Sequence, residues 1–430
     1  MIKINLTDKQ ILEAQSKHWA WFKKYNKLNT SDDKLLQKIN ENNVPLIVKK
    51  LLQYFKDNEE SLKNLIIGKP DVLRSEIKTI IIKFDKLFGI SHRKMKISKL
   101  ETFRNNLPNI TSVNKNNKQE SLNKIVLAIE ELNFVNFYNK SLTGGVGQIQ
   151  DIIRDLQKKR DHFIQFLAKK KISDEIKKDF FNHLSDVFSY DEFKKKDSNW
   201  NAYEWVKYLD LKVCPYCNRQ FIHYYWDEND VKKMRPALDH FYPKGLYPFL
   251  GVSLFNLVPS CYTCNSSFKG EIDFFLKKHM NPFEEDFGKD GKFRTDFKLL
   301  ENGTHDITYL TSVKTTDDFK LDLKIKTDDT GLESKINNSN DTFKINGLYQ
   351  NHKDYAHEII KKTHMYNKSR LEDLMNSFGG DLFDSKEELM QTIMGNYLTQ
   401  EKQGDRVLAK LTQDIFDEFK IEEIWDEAVK

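Results

Sequence analysis

The four cysteines of this 430-residue chain constrain its fold more than any other feature, because they form two Cys-x-x-Cys pairs. Cys214 pairs with Cys217, and Cys261 pairs with Cys264. Four thiolates from two such pairs can close a tetrahedral site around a structural zinc ion, which joins two distant segments. A reducing compartment disfavours disulfides, and the thioredoxin-like βαβ pattern of a redox dithiol is absent from the sequence. We therefore predict a zinc site.

The segment between the two pairs is 43 residues long, which exceeds the usual spacing of a zinc finger. It must therefore contain secondary structure of its own. The run "RQFIHYYW" predicts a strand, and "RPALDHFYPK" predicts a second strand that brings Asp239 and His240 into a loop. From the second pair onward, "NSSFKGEIDFFLKKH" predicts a helix.

In the order of these residues the chain resembles the HNH endonuclease family. The ββα-metal core of that family carries Cys-x-x-Cys, Asp-His, Asn and Cys-x-x-Cys, followed by His or Asn at the head of a helix. The positions of this chain that match the pattern are Cys214, Cys217, Asp239, His240, Asn256, Cys261, Cys264 and Asn265. The resemblance implies a mainly α fold with an embedded ββα-metal HNH core, in a multi-domain α+β chain.

The resemblance also gives each polar residue a part in phosphodiester hydrolysis. That reaction needs a base that takes a proton from water and groups that stabilise charge on the phosphorane. By resemblance His240 is the general base, since imidazole titrates near neutral pH. Asp239 and Asn265 offer oxygen ligands to a catalytic Mg²⁺ or Mn²⁺, and Asn256 braces the loop that carries the base. Many family members have a second metal-binding His where this chain has Asn265, which leaves the metal preference open.

Four further residues near this motif need an interpretation. Lys244 and Lys269 are candidates for nucleic-acid binding through phosphate contacts, and an ordinary surface lysine is an equal alternative for each. His223 lies between the first cysteine pair and Asp239, and His279 lies beyond the motif. For both histidines we favour a structural role over a catalytic one.

The periodicity of the chain divides it into four predicted regions. Apolar residues recur at helical spacing in "NVPLIVKKLLQYF", whereas "TDFKLLENGTHDITYLTSV" and "FKLDLKIKT" alternate as strands do. Gly144, Gly145 and Gly147 lack the residues of a phosphate-binding loop and indicate a boundary. The predicted regions are a helical domain over 1–142, a helical connector over 143–212, the HNH core with its four-cysteine zinc site over 213–285, and a mixed strand and helix extension over 286–430.

Charge is distributed unevenly along the chain. Residues 1–200 hold 38 Lys and Arg against 25 Asp and Glu, while residues 201–430 hold 31 against 39. The basic front half favours a phosphate-bearing partner such as DNA, although a solvated lysine-rich surface explains it equally well. The sequence has no uncharged apolar run near the roughly 20 residues that span a bilayer, and its start does not resemble a secretory signal. We expect a cytoplasmic protein without a membrane partner.

Outside the motif, "MNPFEEDFG" and "FKINGLYQNHKDYAHEII" resemble the C-terminal extension of defence-associated HNH proteins, including the nuclease subunits of Septu-type and retron-linked systems. The expected function is therefore a metal-dependent DNA endonuclease that acts as an effector of bacterial anti-phage defence. In such systems the nuclease pairs with an SMC-like ATPase, which here must be a separate subunit because the chain has no Walker motif. Two alternatives stay open, a zinc-stabilised nucleic-acid-binding or scaffold protein without catalysis and an RNA-cleaving HNH nuclease. The oligomeric state is also open.

Overall fold

The computed structural model describes residues 1–84, 102–132, 144–169, 174–196, 198–225, 234–297 and 319–419. Over these residues the protein is mainly helical, with two small antiparallel sheets of two strands each. The mainly α prediction is thereby confirmed, and the four predicted regions stay predictions. The chain forms two compact units: unit 1 comprises Met1–Ala14, Lys194–Phe241 and Phe255–Lys430, and unit 2 comprises Gln15–Phe193 and Tyr242–Leu254.

Unit 2 is built from helices, the first of which begins in unit 1. Its apolar stripes are buried as the helical periodicity predicts, and Leu51, Leu52 and Phe55 are fully inaccessible to solvent. A second cluster of apolar side chains, around Ile125 and Ile153, forms a core of its own. The helices are α1 Asp8–Asn26, α2 Lys34–Asn40, α3 Leu46–Asp57, α4 Glu59–Ile67, α5 Pro70–Lys83, α6 Lys118–Leu132, α7 Val146–Lys169, α8 Asp174–Val187 and α9 Tyr190–Phe193.

Unit 1 contains both sheets and all four cysteines. Strand β1 (Ala237–His240) pairs antiparallel with β2 (Leu257–Ser260), so that His240 lies opposite Leu257. Strand β3 (Gly291–Phe297) pairs antiparallel with β4 (Phe319–Ile325). Strand β4 lies where "FKLDLKIKT" predicts a strand, whereas β3 begins four residues before "TDFKLLENGTHDITYLTSV" and overlaps only its first three residues. The rest of that run, 298–313, lies outside the described residues. The helices of this unit are α10 Ala202–Leu209, α11 Thr330–Phe343, α12 Ile345–Tyr349, α13 Lys353–Met365, α14 Lys368–Phe378, α15 Lys386–Met394 and α16 Ala409–Phe419.

Within the described residues, no helix combines the length and the apolar character that crossing a bilayer requires.

The strand predicted for "RQFIHYYW" does not form as a continuous element. In the described part of this run, Phe221 makes an isolated bridge to Val213 and Tyr225 makes one to Met234. The backbone is used instead to close the turn of the first cysteine pair, because the Cys214 N–H donates to the Gln220 carbonyl at 2.9 Å. The partner of β1 is therefore β2, which the sequence did not predict as a strand.

The helix predicted for "NSSFKGEIDFFLKKH" is also shorter than expected. A π-helical segment covers Thr263–Lys269 and stops at Gly270, whose φ of +50° lies in the left-handed region. The Gly270 N–H donates to the Asn265 carbonyl at 3.0 Å, which is the i to i+5 bond of a π turn. Beyond it, the Asp273 carboxylate accepts from the backbone N–H groups of Phe275 and Leu276 and starts a separate turn. Glycine and this local cap together end the helix.

Asn218 follows the first cysteine pair and ties it to the C-terminal part of unit 1. Its φ is +50°, a left-handed conformation that Asn tolerates better than most residues. Its side chain donates to the Gln403 carbonyl at 2.9 Å and accepts from the Lys410 N–H at 3.0 Å. Its own carbonyl accepts from the Leu408 N–H at 2.7 Å. Asn218 thus connects the first cysteine turn to residues 403–410 of unit 1.

These contacts predict a graded effect of substitution at Asn218. Asn218→Gly keeps the left-handed backbone but leaves buried backbone groups unpaired, which costs about 1–3 kcal/mol of unfolding free energy. Asn218→Ala adds the left-handed strain of a non-glycine residue, about 1 kcal/mol more. Urea denaturation of the three proteins measures both steps. An alanine variant at least as stable as the glycine variant would contradict this account of the turn.

Candidate functional site

The four cysteines meet in unit 1. The Sγ atoms of Cys214, Cys217, Cys261 and Cys264 all lie within 4.8 Å of one another, and all four residues are buried. Each pair is folded as a tight turn: the Asn218 N–H donates to the Cys214 carbonyl at 2.8 Å, and the Cys264 N–H donates to the Cys261 sulfur at 3.4 Å. This is the donor set and enclosure that a structural zinc ion requires. The predicted cysteine cluster is confirmed, and it is compatible with zinc.

The electrostatics of the cluster favour a bound cation. Burial raises the pKa of the Cys214 thiol well above its ordinary value. Hydrogen bonds from the neighbouring thiols lower the pKa of Cys217 well below its ordinary value. Four sulfurs at this separation cannot all ionise in a buried site unless a positive charge compensates them. Zn²⁺ supplies that charge and binds the thiolate form, which makes the folded cluster and metal binding mutually dependent.

The β1–β2 hairpin lies between the two cysteine turns and carries the Asp-His pair. Asp239 and His240 are the last two residues of β1, and their exposed fractions are 2% and 8%. Directly after them, the Phe241 N–H donates to the Asn256 carbonyl at 2.9 Å. Asn256 is fully buried at the end of the connection that returns to β2. The hairpin therefore brings the three residues of the motif together at one end of a two-stranded sheet.

Asp239 belongs to a buried network that joins both cysteine turns to the hairpin. One carboxylate oxygen accepts from the Tyr216 hydroxyl at 2.6 Å, and the other accepts from the Lys269 ammonium at 2.9 Å. Lys269 also donates to the His240 carbonyl at 2.7 Å. Tyr216 stands between the two cysteines of the first pair, and Lys269 ends the π-helical segment that follows the second pair. The network thus links three separate segments of unit 1.

Neither Tyr216 nor the partner of Lys269 was identified from the sequence. Lys269 was predicted to contact phosphate, but its side chain is only 1% exposed and its ammonium is paired with Asp239. A phosphate contact would require that pair to open. Tyr216 could have been noticed as the polar aromatic residue inside the first Cys-x-x-Cys turn, where a buried hydroxyl needs a partner.

The polar residues do not fit an open divalent-metal site at Asp239. Its side chain is 3% exposed, and both of its oxygens already accept strong hydrogen bonds. Asn265 is half-buried, and its main-chain N–H donates to the Cys261 carbonyl at 3.0 Å. An Mg²⁺ or Mn²⁺ ion needs several oxygen ligands and usually keeps some of its water. A divalent ion at Asp239 would have to share this buried carboxylate with the Lys269 ammonium or displace it.

The remaining candidates differ in their surroundings. Lys244 lies in unit 2, where its ammonium lies 5.2 Å from the centre of the Tyr190 ring. His223 is exposed and stacks on Phe221 with ring centroids 5.1 Å apart. His279 is buried, which lowers its pKa to about 4 and keeps the ring neutral.

His279 is held by its neighbours on two sides. Its Nε2 atom lies 2.8 Å from the Thr342 hydroxyl, and its ring stacks on Phe274 at 3.7 Å. These contacts give His279 the structural role that was favoured for it. They also attach the turns that follow the π-helical segment to helix α11.

Aromatic residues support the cysteine turns from behind. Tyr349 donates its hydroxyl hydrogen to the Cys217 carbonyl at 2.7 Å and stacks on Phe293 at 4.1 Å. Tyr216 stacks on Phe343 at 4.5 Å. Helices α11 and α12 therefore pack directly on the first cysteine turn, and strand β3 packs on α12 behind it, so that the cluster is embedded in the core of unit 1.

Comparisons with known proteins do not assign a function to this site. No family model matches the chain, and no match was found among curated proteins or solved structures. The described residues establish a buried four-thiol cluster, a hairpin that ends in Asp239 and His240, and an ionic network that joins the two. The chemistry proposed below depends on these three features.

The cluster predicts that one zinc ion binds per chain and that the fold of unit 1 depends on it. Cys261→Ser removes one thiolate ligand, so we expect loss of zinc and a melting temperature lower by about 10 °C or more. Elemental analysis and calorimetry measure the two effects. The control is Ser260→Ala, which alters the buried residue next to Cys261 without removing a ligand. A Cys261→Ser protein that melts with the wild type would contradict a structural zinc.

Proposed function

We propose that this chain is a zinc-stabilised endonuclease of the HNH type that hydrolyses phosphodiester bonds of DNA. The observation that carries the proposal is the hairpin between the two cysteine turns, which ends in His240 and adjoins Asn256. The order of these residues is the order on which the family resemblance rests. A protein that used zinc only for stability would have no chemical need for His240 at this place.

His240 has the support that a general base requires. The peptide group that follows it is held at both polar atoms, by the Lys269 ammonium on the His240 carbonyl and by the bond from the Phe241 N–H to the Asn256 carbonyl. Its exposed fraction is 8%, so the side chain is largely shielded from bulk water. A base held in one geometry removes a proton from an attacking water more effectively than a mobile one. In this proposal Asn256 acts through the backbone that carries His240.

The resemblance also implies a catalytic Mg²⁺ or Mn²⁺ held by Asp239 and Asn265. Such an ion would stabilise the charge on the phosphate and on the departing oxygen. The half-buried amide of Asn265 is compatible with this role. Asp239 already holds the Lys269 ammonium and the Tyr216 hydroxyl, so no step of the proposal is routed through that carboxylate.

The charge distribution is compatible with a polyanionic substrate, and the family resemblance makes DNA the expected one. The excess of 38 basic over 25 acidic residues in positions 1–200 attracts a polyanion. Resemblance outside the motif supports a role as an effector in anti-phage defence, with an SMC-like ATPase as a separate partner that controls cleavage. In that setting the nuclease activity of the purified chain would stay low until the partner ATPase or a component of the infecting phage activates it.

A non-catalytic alternative has its own support. Asp239 is used as a buried counter-ion, which is the behaviour of a structural residue. A zinc-stabilised nucleic-acid-binding or scaffold protein would keep this network without cleaving any substrate. Cleavage of RNA is a third outcome, because the site recognises a phosphodiester and does not by itself exclude a 2′-hydroxyl.

The test compares cleavage of plasmid DNA, single-stranded DNA and RNA by the wild type, His240→Ala and His223→Ala, with and without Mg²⁺ or Mn²⁺. His240→Ala should lower the cleavage rate by roughly 10²–10⁴-fold, as expected for the loss of a general base. His223→Ala should retain activity, since this histidine is exposed and its ring stacks on Phe221. Zinc content must be equal in all three proteins.

The outcomes separate the candidates. Cleavage of DNA that depends on His240 supports the proposal, and cleavage confined to RNA supports the third candidate. Equal cleavage by wild type and His240→Ala would rule out His240 as the base. Binding of nucleic acid without cleavage, in the presence of the partner ATPase as well, would favour the non-catalytic protein.

A further inference from the structure

The surroundings of the Lys269 ammonium are those of a bound cation. It lies 2.9 Å from a carboxylate oxygen of Asp239 and 2.7 Å from the carbonyl oxygen of His240. The face of the Phe274 ring is 5.0 Å away. A carboxylate, a carbonyl and an aromatic face all attract positive charge. Three groups that favour a cation therefore converge on one ammonium.

The position of the Lys269 side chain is set by the backbone at the end of the π-helical segment, and the side chain is buried. Lys269 is the last residue of the π-helical segment, and Gly270 turns the chain away immediately after it. Both partners in the ion pair are almost completely buried, with side chains 1% and 3% exposed. Removing either partner of such a pair costs stability, because the charge of the other partner would be left buried and unpaired.

Charge balance decides what else the site can hold. Asp239 contributes one negative charge, which the Lys269 ammonium neutralises, and the Tyr216 hydroxyl donates to the second oxygen. A divalent ion added beside Lys269 would leave an excess of two positive charges in a buried place. A divalent ion in place of Lys269 would leave a buried ammonium without its counter-ion. Both arrangements are unfavourable compared with the pair that is present.

We propose that the Lys269 ammonium is the resident cation of this site and that Asp239 is its counter-ion, not a ligand of a divalent metal. This goes against the metal role that the family resemblance implies for Asp239. It does not depend on nuclease activity, and it holds equally for the non-catalytic alternative. Any divalent ion that the protein uses would then bind without the Asp239 carboxylate.

The first test measures Mn²⁺ affinity by calorimetry for zinc-loaded wild type and Asp239→Asn. If Asp239 is not a ligand, the two dissociation constants should agree within about twofold, or neither protein should bind. Removal of a true carboxylate ligand would weaken binding by roughly tenfold or more, and that result would overturn the proposal. Zinc content and the melting curve establish that the variant is folded.

The second test uses the wild type alone, so that it stands even where the variant fails to fold. A small amine-acylating reagent should modify exposed lysines such as Lys277 and Lys278, while Lys269 stays unmodified. The pattern, read by peptide mass spectrometry, should be the same with and without millimolar Mn²⁺. Modification of Lys269 that appears only when Mn²⁺ is added would mean that the metal displaces it from Asp239, which contradicts the proposal. Cleavage assays are not needed for either test, so a failed nuclease proposal is distinguishable from a failed cation proposal.

Discussion

The convergence of four buried thiols within 4.8 Å is the constraint on which the rest of unit 1 depends. It brings together two turns that are 43 residues apart in the sequence, and it closes the long segment between them into a loop. Closing such a loop costs chain entropy, which metal binding offsets. The hairpin of β1 and β2 grows from this loop, and Asp239 and His240 take their positions from it. Without a bound cation, four thiolates at this separation would repel one another, so burial would keep the sulfurs largely protonated.

The ionic network around Asp239 is the second feature that holds this region. A buried ion pair contributes less to stability than its distance suggests, because both groups lose their hydration. Its stronger effect is on specificity, since only one arrangement of the three segments satisfies the carboxylate, the ammonium and the Tyr216 hydroxyl together. The network therefore fixes the end of β1, and with it the main chain of His240. A residue that the resemblance suggests for metal binding is thus used to hold the hairpin in place.

Local sequence patterns predicted much of this fold. The two Cys-x-x-Cys pairs predicted the thiol cluster, helical stripes predicted the helices of unit 2, and strict alternation predicted β4. Such patterns depend on neighbours within a few residues, which is the range that periodicity can report.

The strand assigned to "RQFIHYYW" was wrong, because the closure of the first cysteine turn uses that backbone instead. The helix predicted for "NSSFKGEIDFFLKKH" ends earlier than expected, because Gly270 adopts a left-handed conformation. Tyr216, Asn218 and the Asp239 partner of Lys269 were missed, because these contacts join residues that are far apart in the sequence and local periodicity does not report them.

X-ray absorption at the zinc edge of the purified protein tests the central claim most directly, because it reports the atoms bound to the metal. The account predicts four sulfur neighbours at about 2.3 Å and no nitrogen or oxygen ligand. A protein purified without zinc, or zinc bound by nitrogen and oxygen ligands, would contradict it.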